Sequence, residues 1–329
     1  VLIVTRTPVR ISFLGGGTDY PAFYNRHEGS VLGTTINKYN YITVSRLTSF
    51  VDYKYRISYS SQELTKNVSD IIHPSVRECI KYLEIEEGIE INIITDLPAR
   101  TGLGSSSTFT VGLLNALYTL IGIEPTKKQL ASGAVHIEQN MILERVGSQD
   151  QYLAAYGGLN KIEFSKNNIN VISLNINENL INDLNSNLLL FFTGKRRYAH
   201  KILDEQIEKT ESRENDKILL KMNDMVDLGV DLLQNSDIES FGKLLHDSWM
   251  YKKELSSKIC NDEINELYSN GIKAGAYGGK LTGAGGGGFL LFVVPEEKRP
   301  SFRKVFNNLL EVNFSFDTSG SKTIFNSLG

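Results

Sequence analysis

The segment at residues 97–107 combines glycine and serine in a pattern that suits phosphate binding. Its glycines can adopt backbone angles that are closed to other residues, so the chain can pass close to a ligand with its N–H groups turned inward. Apolar residues recur at helical spacing after it, which predicts a helix whose first turn holds Ser105 to Ser107. The free N–H groups and the dipole of such a helix favour an anion. Taken alone, the segment is equally compatible with a serine-capped helix after an ordinary turn.

A second glycine-rich segment, residues 280–289, stands directly before an apolar stretch. Ordering so many glycines costs conformational entropy, so a purely structural loop is rarely built in this way. We therefore favour close approach of this backbone to a ligand over a flexible hairpin loop between two strands.

Two carboxylates stand where they could assist phosphoryl transfer. Asp150 opens a short apolar helix just after Gly147, and Glu138 lies upstream on the preceding predicted helix. A carboxylate beside a phosphate site can accept a hydroxyl proton, and a second can hold the magnesium ion that bridges nucleotide phosphates. Without such neighbours, Asp150 would be a simple N-cap and Glu138 a solvated helix residue.

The chain that must position these groups begins with a β-rich portion. Its predicted strands lie at residues 3–14, 30–36, 41–47, 53–59 and 89–94, with a short helix at 74–83. Helices are predicted from residue 105, at 127–145 and at 150–156, followed by strands at 159–164 and 170–174.

The asparagine-rich passage at residues 175–187 is the predicted boundary between a first domain, 1–180, and a second, 181–329. In the second domain we predict a strand at 188–193, about three helical segments between 198 and 270, strands near 274–281 and 289–294, a helix near 296–310 and a closing strand at 312–316. This order predicts an α+β protein of two domains.

Composition narrows the class of protein. The chain has 329 residues, of which 41% are hydrophobic, and a formal net charge of −3, which gives no reason to expect a nucleic-acid partner. No apolar run is long enough for a membrane span and no signal peptide is evident, so we expect a cytoplasmic protein without a membrane partner. Cys79 and Cys260 are far apart, which argues against a disulfide framework or a zinc site.

Three segments resemble, in order, the three motifs of the GHMP kinases, the superfamily of galactokinase and of homoserine, mevalonate and phosphomevalonate kinases. They are Pro8 to Ile11 with Gly15 to Tyr20, then 98–107, then 280–289, and Gly-Ser-Gln-Asp-Gln at 147–151 adds a fourth likeness. The resemblance covers essentially the whole chain. It implies a ribosomal protein S5 domain 2-like N-terminal domain, a ferredoxin-like C-terminal domain, and ATP and Mg²⁺ as cofactors.

Within that superfamily the motifs look most like those of the kinases that act on D-glycero-D-manno-heptose 7-phosphate. The implied reaction phosphorylates the anomeric hydroxyl, giving the 1,7-bisphosphate on the route to nucleotide-activated heptose for lipopolysaccharide or capsule. Two alternatives stay open: a kinase of an unphosphorylated sugar such as fucose or galactose, and a non-catalytic sensor with the kinase fold. Monomer and homodimer are both compatible with the sequence.

The resemblance also implies roles for single residues. Asp150 would accept the proton of the sugar hydroxyl, while Arg10 would lower the pKa of that hydroxyl and keep Asp150 charged. Magnesium would be held by Ser106 and Glu138. The residues implied to surround the ATP phosphates are Pro98, Gly102, Leu103, Gly104, Ser105, Ser106 and Ser107.

The acceptor sugar is implied to contact two loops and a basic cluster. Asp19 would bind sugar hydroxyls, and the remaining implied substrate contacts are Gly17, Thr18, Gly283, Gly285 and Gly286. We expect Arg197, with Lys195 or Arg196, to bind the sugar's own phosphate, because arginine matches phosphate geometry; the alternative is a solvated basic helix start. Lys252 and Lys253 form a second candidate for that contact.

Overall fold

The computed structural model describes residues 1–48, 50–98, 101–175, 177–194 and 200–327. The strands are β1 Leu2–Leu14, β2 Gly29–Arg46, β3 Tyr55–Ser58, β4 Gln62–Thr65, β5 Ile89–Thr95, β6 Asn160–Ser165, β7 Asn168–Ser173, β8 Leu188–Phe192, β9 Gly278–Leu281, β10 Phe289–Val293, β11 Leu310–Glu311, β12 Phe316–Asp317 and β13 Lys322–Asn326. The helices are α1 Pro21–Tyr24, α2 Pro74–Tyr82, α3 Ser105–Leu120, α4 Lys127–His136, α5 Gln149–Tyr156, α6 Glu178–Asn187, α7 His200–Glu211, α8 Asp216–Gln234, α9 Ile238–Glu254, α10 Asp262–Lys273 and α11 Arg299–Val305.

The larger sheet has the strand order β13-β1-β2-β5-β3-β4, with β6 and β12 also pairing with β2, and β7 with β6. The long antiparallel pair of β1 and β2 is its centre. From Thr7 onward every residue of β1 is buried, so this strand is covered on both faces. Arg10 lies within that buried stretch, opposite Thr35 of β2.

Helices α2 to α5 pack on one face of the larger sheet, where Val111 and Leu114 of α3 join Val44 and Ile91 in one core. On the other face, Ile11 and Phe13 of β1 share a core with residues of α8, α9 and the smaller sheet. That smaller sheet is antiparallel, in the order β11-β8-β10-β9. Because β1 is a wall of both cores, the two halves of the molecule are packed against each other through the strand that carries Arg10.

The predicted elements of the N-terminal half are largely present, with three differences. Residues 30–36 and 41–47 belong to one continuous strand, β2. The helix predicted at 127–145 ends at His136 and continues as a π-helical turn, Ile137–Met141, and part of the predicted boundary segment forms α6, which Asn177 caps.

The C-terminal half differs more. Four helices, α7 to α10, occupy the described part of 198–273 where about three were predicted, and the last helix is shorter than predicted. The strand predicted at 312–316 is absent as such; instead β12 pairs with β2, and β13 pairs with β1. The segment 181–329, predicted as the second domain, therefore contributes strands to both sheets. Within the described ranges, no helix has both the length and the apolar character to cross a membrane.

Candidate active site

A bidentate ion pair joins Arg10 of β1 to Asp150 in the first turn of α5. Arg10 Nε lies 2.8 Å from Asp150 Oδ1, and its second guanidinium nitrogen lies 2.8 Å from Oδ2. The remaining guanidinium nitrogen donates to the carbonyl of Gly102 at 2.8 Å. The arginine side chain is 6% exposed and the aspartate side chain 22%. One buried cation thus fixes the orientation of a carboxylate that remains accessible.

The loop before α3 passes directly over that carboxylate. Gly104 is the N-cap of α3 and has φ 75°, and a Cβ atom there would lie 3.1 Å from Asp150 Oδ2. No side chain caps the first turn of α3, so the serine-capped alternative does not apply. A helix N-terminus suited to phosphate and a carboxylate suited to accept a proton are therefore neighbours.

Glu138 lies in the π-helical turn and is almost fully buried. Its Oε2 accepts hydrogen bonds from Ser107 Oγ at 2.8 Å and from Gln151 Nε2 at 2.5 Å. Burial raises the pKa of Glu138 to about 7. Hydrogen bonding by Thr110, Ser107 and Gln151 acts in the opposite direction and lowers this pKa. Its Oε1 is buried and has no hydrogen-bond partner among the described residues.

That orphaned oxygen fits a cation. Magnesium is commonly held by one or two carboxylates together with phosphate oxygens, and Glu138 supplies such a carboxylate at the base of α3. The described ranges contain no group of three or more His, Cys, Asp or Glu side chains that could hold a metal by themselves. The hydroxyl that contacts Glu138 is that of Ser107, whereas Ser106, the predicted partner, is exposed.

Asp19 is buried in the turn after β1. Its carboxylate accepts from the backbone N–H of Gly17 at 3.0 Å and of Gln149 at 3.4 Å. Burial, with a contribution from the charge of Asp150, raises the pKa of Asp19. A Cβ atom at Gly147 would lie 2.0 Å from Asp19 Oδ2, so the Gly-Ser-Gln-Asp segment needs glycine to bring Asp19 and Asp150 together.

The side chain of Thr18 is held within the turn that follows β1. Its side chain is fully buried, and its hydroxyl lies 2.9 Å from the carbonyl of Gly15 and 2.8 Å from that of Ser30. This hydroxyl is used within the loop, and the contact of Thr18 with substrate stays a prediction. Gly17 faces protein atoms as well, because a Cβ there would meet the side chains of Leu219 and Gln206 at 2.9 and 3.1 Å.

The two glycine-rich loops pack against each other. A Cβ at Gly102 would lie 2.5 Å from the carbonyl oxygen of Thr282, and one at Gly283 would lie 2.5 Å from the Cα of Gly102. Further along, Gly286 donates its N–H to the carbonyl of Ile259 at 2.7 Å, and Gly285 also lies against Ile259. Several of these glycines are therefore required by close backbone contacts within the protein, a reason that differs from the predicted approach to a ligand.

Gly102→Ala should separate the two loops. Both Gly102 and Gly122 have positive φ, 85° and 78°, but a Cβ at Gly122 would meet nothing within 4 Å. Gly122→Ala is therefore a matched control that costs about 1–2 kcal/mol of backbone strain alone. We expect Gly102→Ala to lower kcat/KM by about tenfold or more beyond the control, since misplaced positioning groups are costly. Equal kinetics of the two variants would contradict this.

Other predicted phosphate-loop residues serve the loop itself. Leu103 is buried, and its carbonyl accepts the backbone N–H of Arg10 at 3.0 Å. Pro98 accepts a hydrogen bond from the Thr101 hydroxyl at 2.9 Å. The predicted cluster of Lys195, Arg196 and Arg197 lies outside the described residues.

Two buried lysines, Lys252 and Lys280, lie near the site, and only Lys252 was a candidate from sequence. Lys280 was noted only as the start of the second glycine-rich segment; its Nζ donates to the carbonyl of Phe13 at 2.7 Å. Burial lowers the pKa of Lys280 well below its usual value, and the charges of Lys252 and Arg10 add to the effect. Lys252 was considered only as an alternative phosphate ligand. The signal that sets Lys280 apart is its position in an otherwise apolar strand, β9.

Comparison with known proteins adds to this geometry. The family model described as GHMP kinases N terminal domain matches residues 72–158, and the one described as GHMP kinases C terminal matches residues 230–311. Together these matches span about half of the chain.

Individual relatives match nearly end to end. D-glycero-alpha-D-manno-heptose 7-phosphate kinase of Campylobacter jejuni is 29% identical, with 98% of each chain covered. The galactokinase of Pyrococcus furiosus is 28% identical, with 90% of each covered. Among solved structures, a D-glycero-D-manno-heptose 1-phosphate kinase from Bacteriodes thetaiotaomicron superposes with a TM-score of 0.81 at 23% identity, covering 98% of this chain and 99% of that one. This last likeness concerns the fold, and it confirms the predicted two-domain α+β architecture.

Proposed function

Because the chain belongs to the GHMP kinases and is a carbohydrate kinase of that family, we propose that it transfers the γ-phosphate of ATP to the anomeric hydroxyl of D-glycero-D-manno-heptose 7-phosphate. The similarity to the Campylobacter jejuni heptose 7-phosphate kinase over 98% of both chains supports this choice of acceptor. The product is the 1,7-bisphosphate, an intermediate suited to nucleotide-activated heptose synthesis.

The observation that carries the proposal is the Arg10–Asp150 pair beneath the N-terminus of α3. With phosphates at the N–H groups of residues 104–107, an acceptor hydroxyl near Asp150 can pass its proton to the carboxylate while its oxygen attacks the γ-phosphorus. The bond between the γ-phosphorus and the bridging oxygen to the β-phosphate breaks, and ADP leaves. Arg10 holds the carboxylate in place and adds positive charge where negative charge develops. Because phosphoryl transfer depends strongly on positioning, the rigid three-way contact among Arg10, Asp150 and Gly102 matters as much as the base.

ATP and Mg²⁺ are the proposed co-substrate and cofactor. Glu138 would hold the magnesium ion through Oε1, which has no partner among the residues that the structure describes. The hydroxyl of Ser106, exposed at the same helix end, is the proposed second ligand of the ion. The ion would neutralise the phosphate charge during transfer. Arg197 is the proposed contact for the 7-phosphate.

Glu138→Gln tests the metal assignment. The variant keeps the size of the side chain but removes its charge, so we expect the Mg²⁺ concentration that gives half-maximal rate to rise by about tenfold or more. Glu124→Gln, the same change at an exposed position, should leave it unchanged. A Glu138→Gln enzyme with wild-type dependence on Mg²⁺ would remove Glu138 from the metal site.

The proposed function is tested by ATP-dependent phosphorylation of four acceptors: D-glycero-D-manno-heptose 7-phosphate, the same heptose without phosphate, fucose and galactose. We expect turnover of the phosphorylated heptose, with ³¹P NMR showing a new anomeric phosphate. Preferred turnover of a free sugar would support the alternative acceptor class, which the galactokinase similarity represents. An absence of turnover with all four acceptors would favour the non-catalytic sensor.

A further inference from the structure

Lys252 reaches from α9 toward the glycine turn that follows β1. The residue is only 7% exposed. Its ammonium has no hydrogen-bond or ion-pair partner within the part of the chain that the structure describes, although burying an unpaired charge is unfavourable. Lys253, its neighbour, is half-buried and donates to Asn265 Oδ1 at 3.5 Å. The two lysines that sequence left as equivalent candidates therefore have different surroundings.

Three polar side chains converge on one point above Gly16. A Cβ atom built on Gly16 would lie 3.6 Å from Lys252 Nζ, 3.7 Å from Ser12 Oγ and 3.9 Å from Gln149 Nε2. Ser12 Oγ and Gln149 Oε1 are buried, and neither has a hydrogen-bond partner among the described residues. Buried polar groups are nearly always satisfied, so this grouping indicates a bound molecule. An anionic oxygen can accept from the Ser12 hydroxyl, and a sugar hydroxyl can donate to Gln149 Oε1.

The charge around this point favours an anion. The nearby cations are Arg10, Lys252 and Lys280, and the nearby carboxylates are Asp19 and Asp150. Asp150 is already paired with Arg10, so Asp19 alone faces two lysines. Burial lowers the pKa of Lys252 to about 8, because the charges of Asp19 and Asp150, which act in the opposite direction, only partly offset the loss of hydration.

We infer that Lys252 selects an anionic acceptor: its ammonium, with the Ser12 hydroxyl, binds a phosphate oxygen of the acceptor sugar above Gly16. The inference rests on the proposed function and deepens it, because it assigns acceptor specificity to a residue of α9 within the described part of the chain. Asp19, on the same turn, remains available for the hydroxyl groups of the sugar.

The test compares Lys252→Met with Lys253→Met, which makes the same change one residue along α9. KM and kcat are measured for the heptose 7-phosphate, for the same heptose without phosphate, and for ATP. We expect Lys252→Met to raise KM for the phosphorylated heptose by about tenfold or more, as for loss of a charge-assisted hydrogen bond. Values for the free heptose and for ATP should stay near those of the wild type, and Lys253→Met should change none of them.

Other outcomes overturn the inference. An equal rise in KM for both heptoses would mean that Lys252 acts through Asp19. A rise confined to KM for ATP would place Lys252 on the donor phosphates. Unchanged KM values for all three substrates would show that Lys252 does not contact substrate. If the wild type itself prefers the free heptose, both the proposed function and the inference fail. If the wild type prefers the phosphorylated heptose and Lys252→Met keeps that preference, only the inference fails.

Two further measurements separate binding from a structural role. The melting temperature of ligand-free Lys252→Met should equal or exceed that of the wild type, because the change removes a buried ammonium that makes no hydrogen bond or ion pair within the described ranges. A clear fall would mark Lys252 as a structural counter-ion and overturn the inference. Gly16→Ala adds a methyl group at ordinary contact distances, so the protein should fold while KM for the phosphorylated heptose rises. A wild-type KM in a folded Gly16→Ala enzyme would show that the space above Gly16 is not used.

Discussion

Asp150→Asn is expected to lower kcat by about 10²–10⁴-fold, the range for loss of a general base. The substitution preserves shape, but an amide NH₂ would replace one of the two carboxylate oxygens that accept hydrogen bonds from Arg10. Two donors would then face each other, so the side chain loses its fixed orientation as well as its basicity. KM for ATP should change little, because Asp150 lies beside the phosphate loop and provides none of its N–H groups. Steady-state kinetics with the acceptor identified in the substrate comparison measure the effect.

Asp231→Asn is the matched control, since it makes the same chemical change at an exposed position on α8. It should retain wild-type kcat. An Asp150→Asn enzyme that kept more than about a tenth of wild-type kcat would show that the carboxylate is a structural partner of Arg10 and not the acceptor of the proton.

Arg10→Met is expected to lower kcat/KM by about 10²–10³-fold, as for removal of a donor that stabilises developing charge. The change also deletes the contact that ties Gly102 to β1, so the phosphate loop should lose its position. Arg10→Lys should recover part of the loss, because it restores the charge but not the bidentate geometry.

Stability provides a second measurement for Arg10. The free energy of unfolding should fall by less than the about 3–5 kcal/mol typical of a broken, fully buried pair, because the Asp150 side chain is 22% exposed. Arg303 makes a similarly close bidentate contact with Glu311, but on the surface, with 47% of its side chain exposed. Arg303→Met should therefore cost at most about 1 kcal/mol and leave activity intact. Equal kinetic losses in the two variants would contradict a special role for Arg10.

Local sequence patterns predicted those elements whose formation depends only on their own residues. The helical periodicity of α3 and the β-rich composition of β1 depend on neighbouring residues, and both elements form nearly as predicted. From sequence, residues 30–36 and 41–47 are predicted as two separate strands. In the structure Pro8 pairs with Tyr39 and Val9 with Ile36, so residues 37–38 are a bulge inside one strand. The pairing partner determines that outcome, and it cannot be read from the segment alone.

In the site, too, contacts between distant segments could not be predicted from local sequence. Arg10, Asp19 and Asp150 stand in ordered motifs, and the structure brings these three together. Lys252 lies on a helix in a run of polar residues, where a lysine is usually solvated, so its burial depends on how α9 packs on β1. Likewise, the glycines of the two loops read as ligand contacts because nothing in either loop reveals that Gly102 and Gly283 meet.

The pairing of β13 with β1 has a consequence for biosynthesis. Leu2 and Ser327 are hydrogen-bonded although 325 positions separate them, and residues 322–326 supply the edge partner of the strand that carries Arg10. A nascent chain on the ribosome therefore holds β1 with one edge open until this late segment has emerged. Unpaired edges of that kind are prone to wrong pairing and aggregation, and pairing across such a distance is slow. We therefore expect the sheet around the strand that carries Arg10 to be completed late in folding, after translation of the second half of the chain.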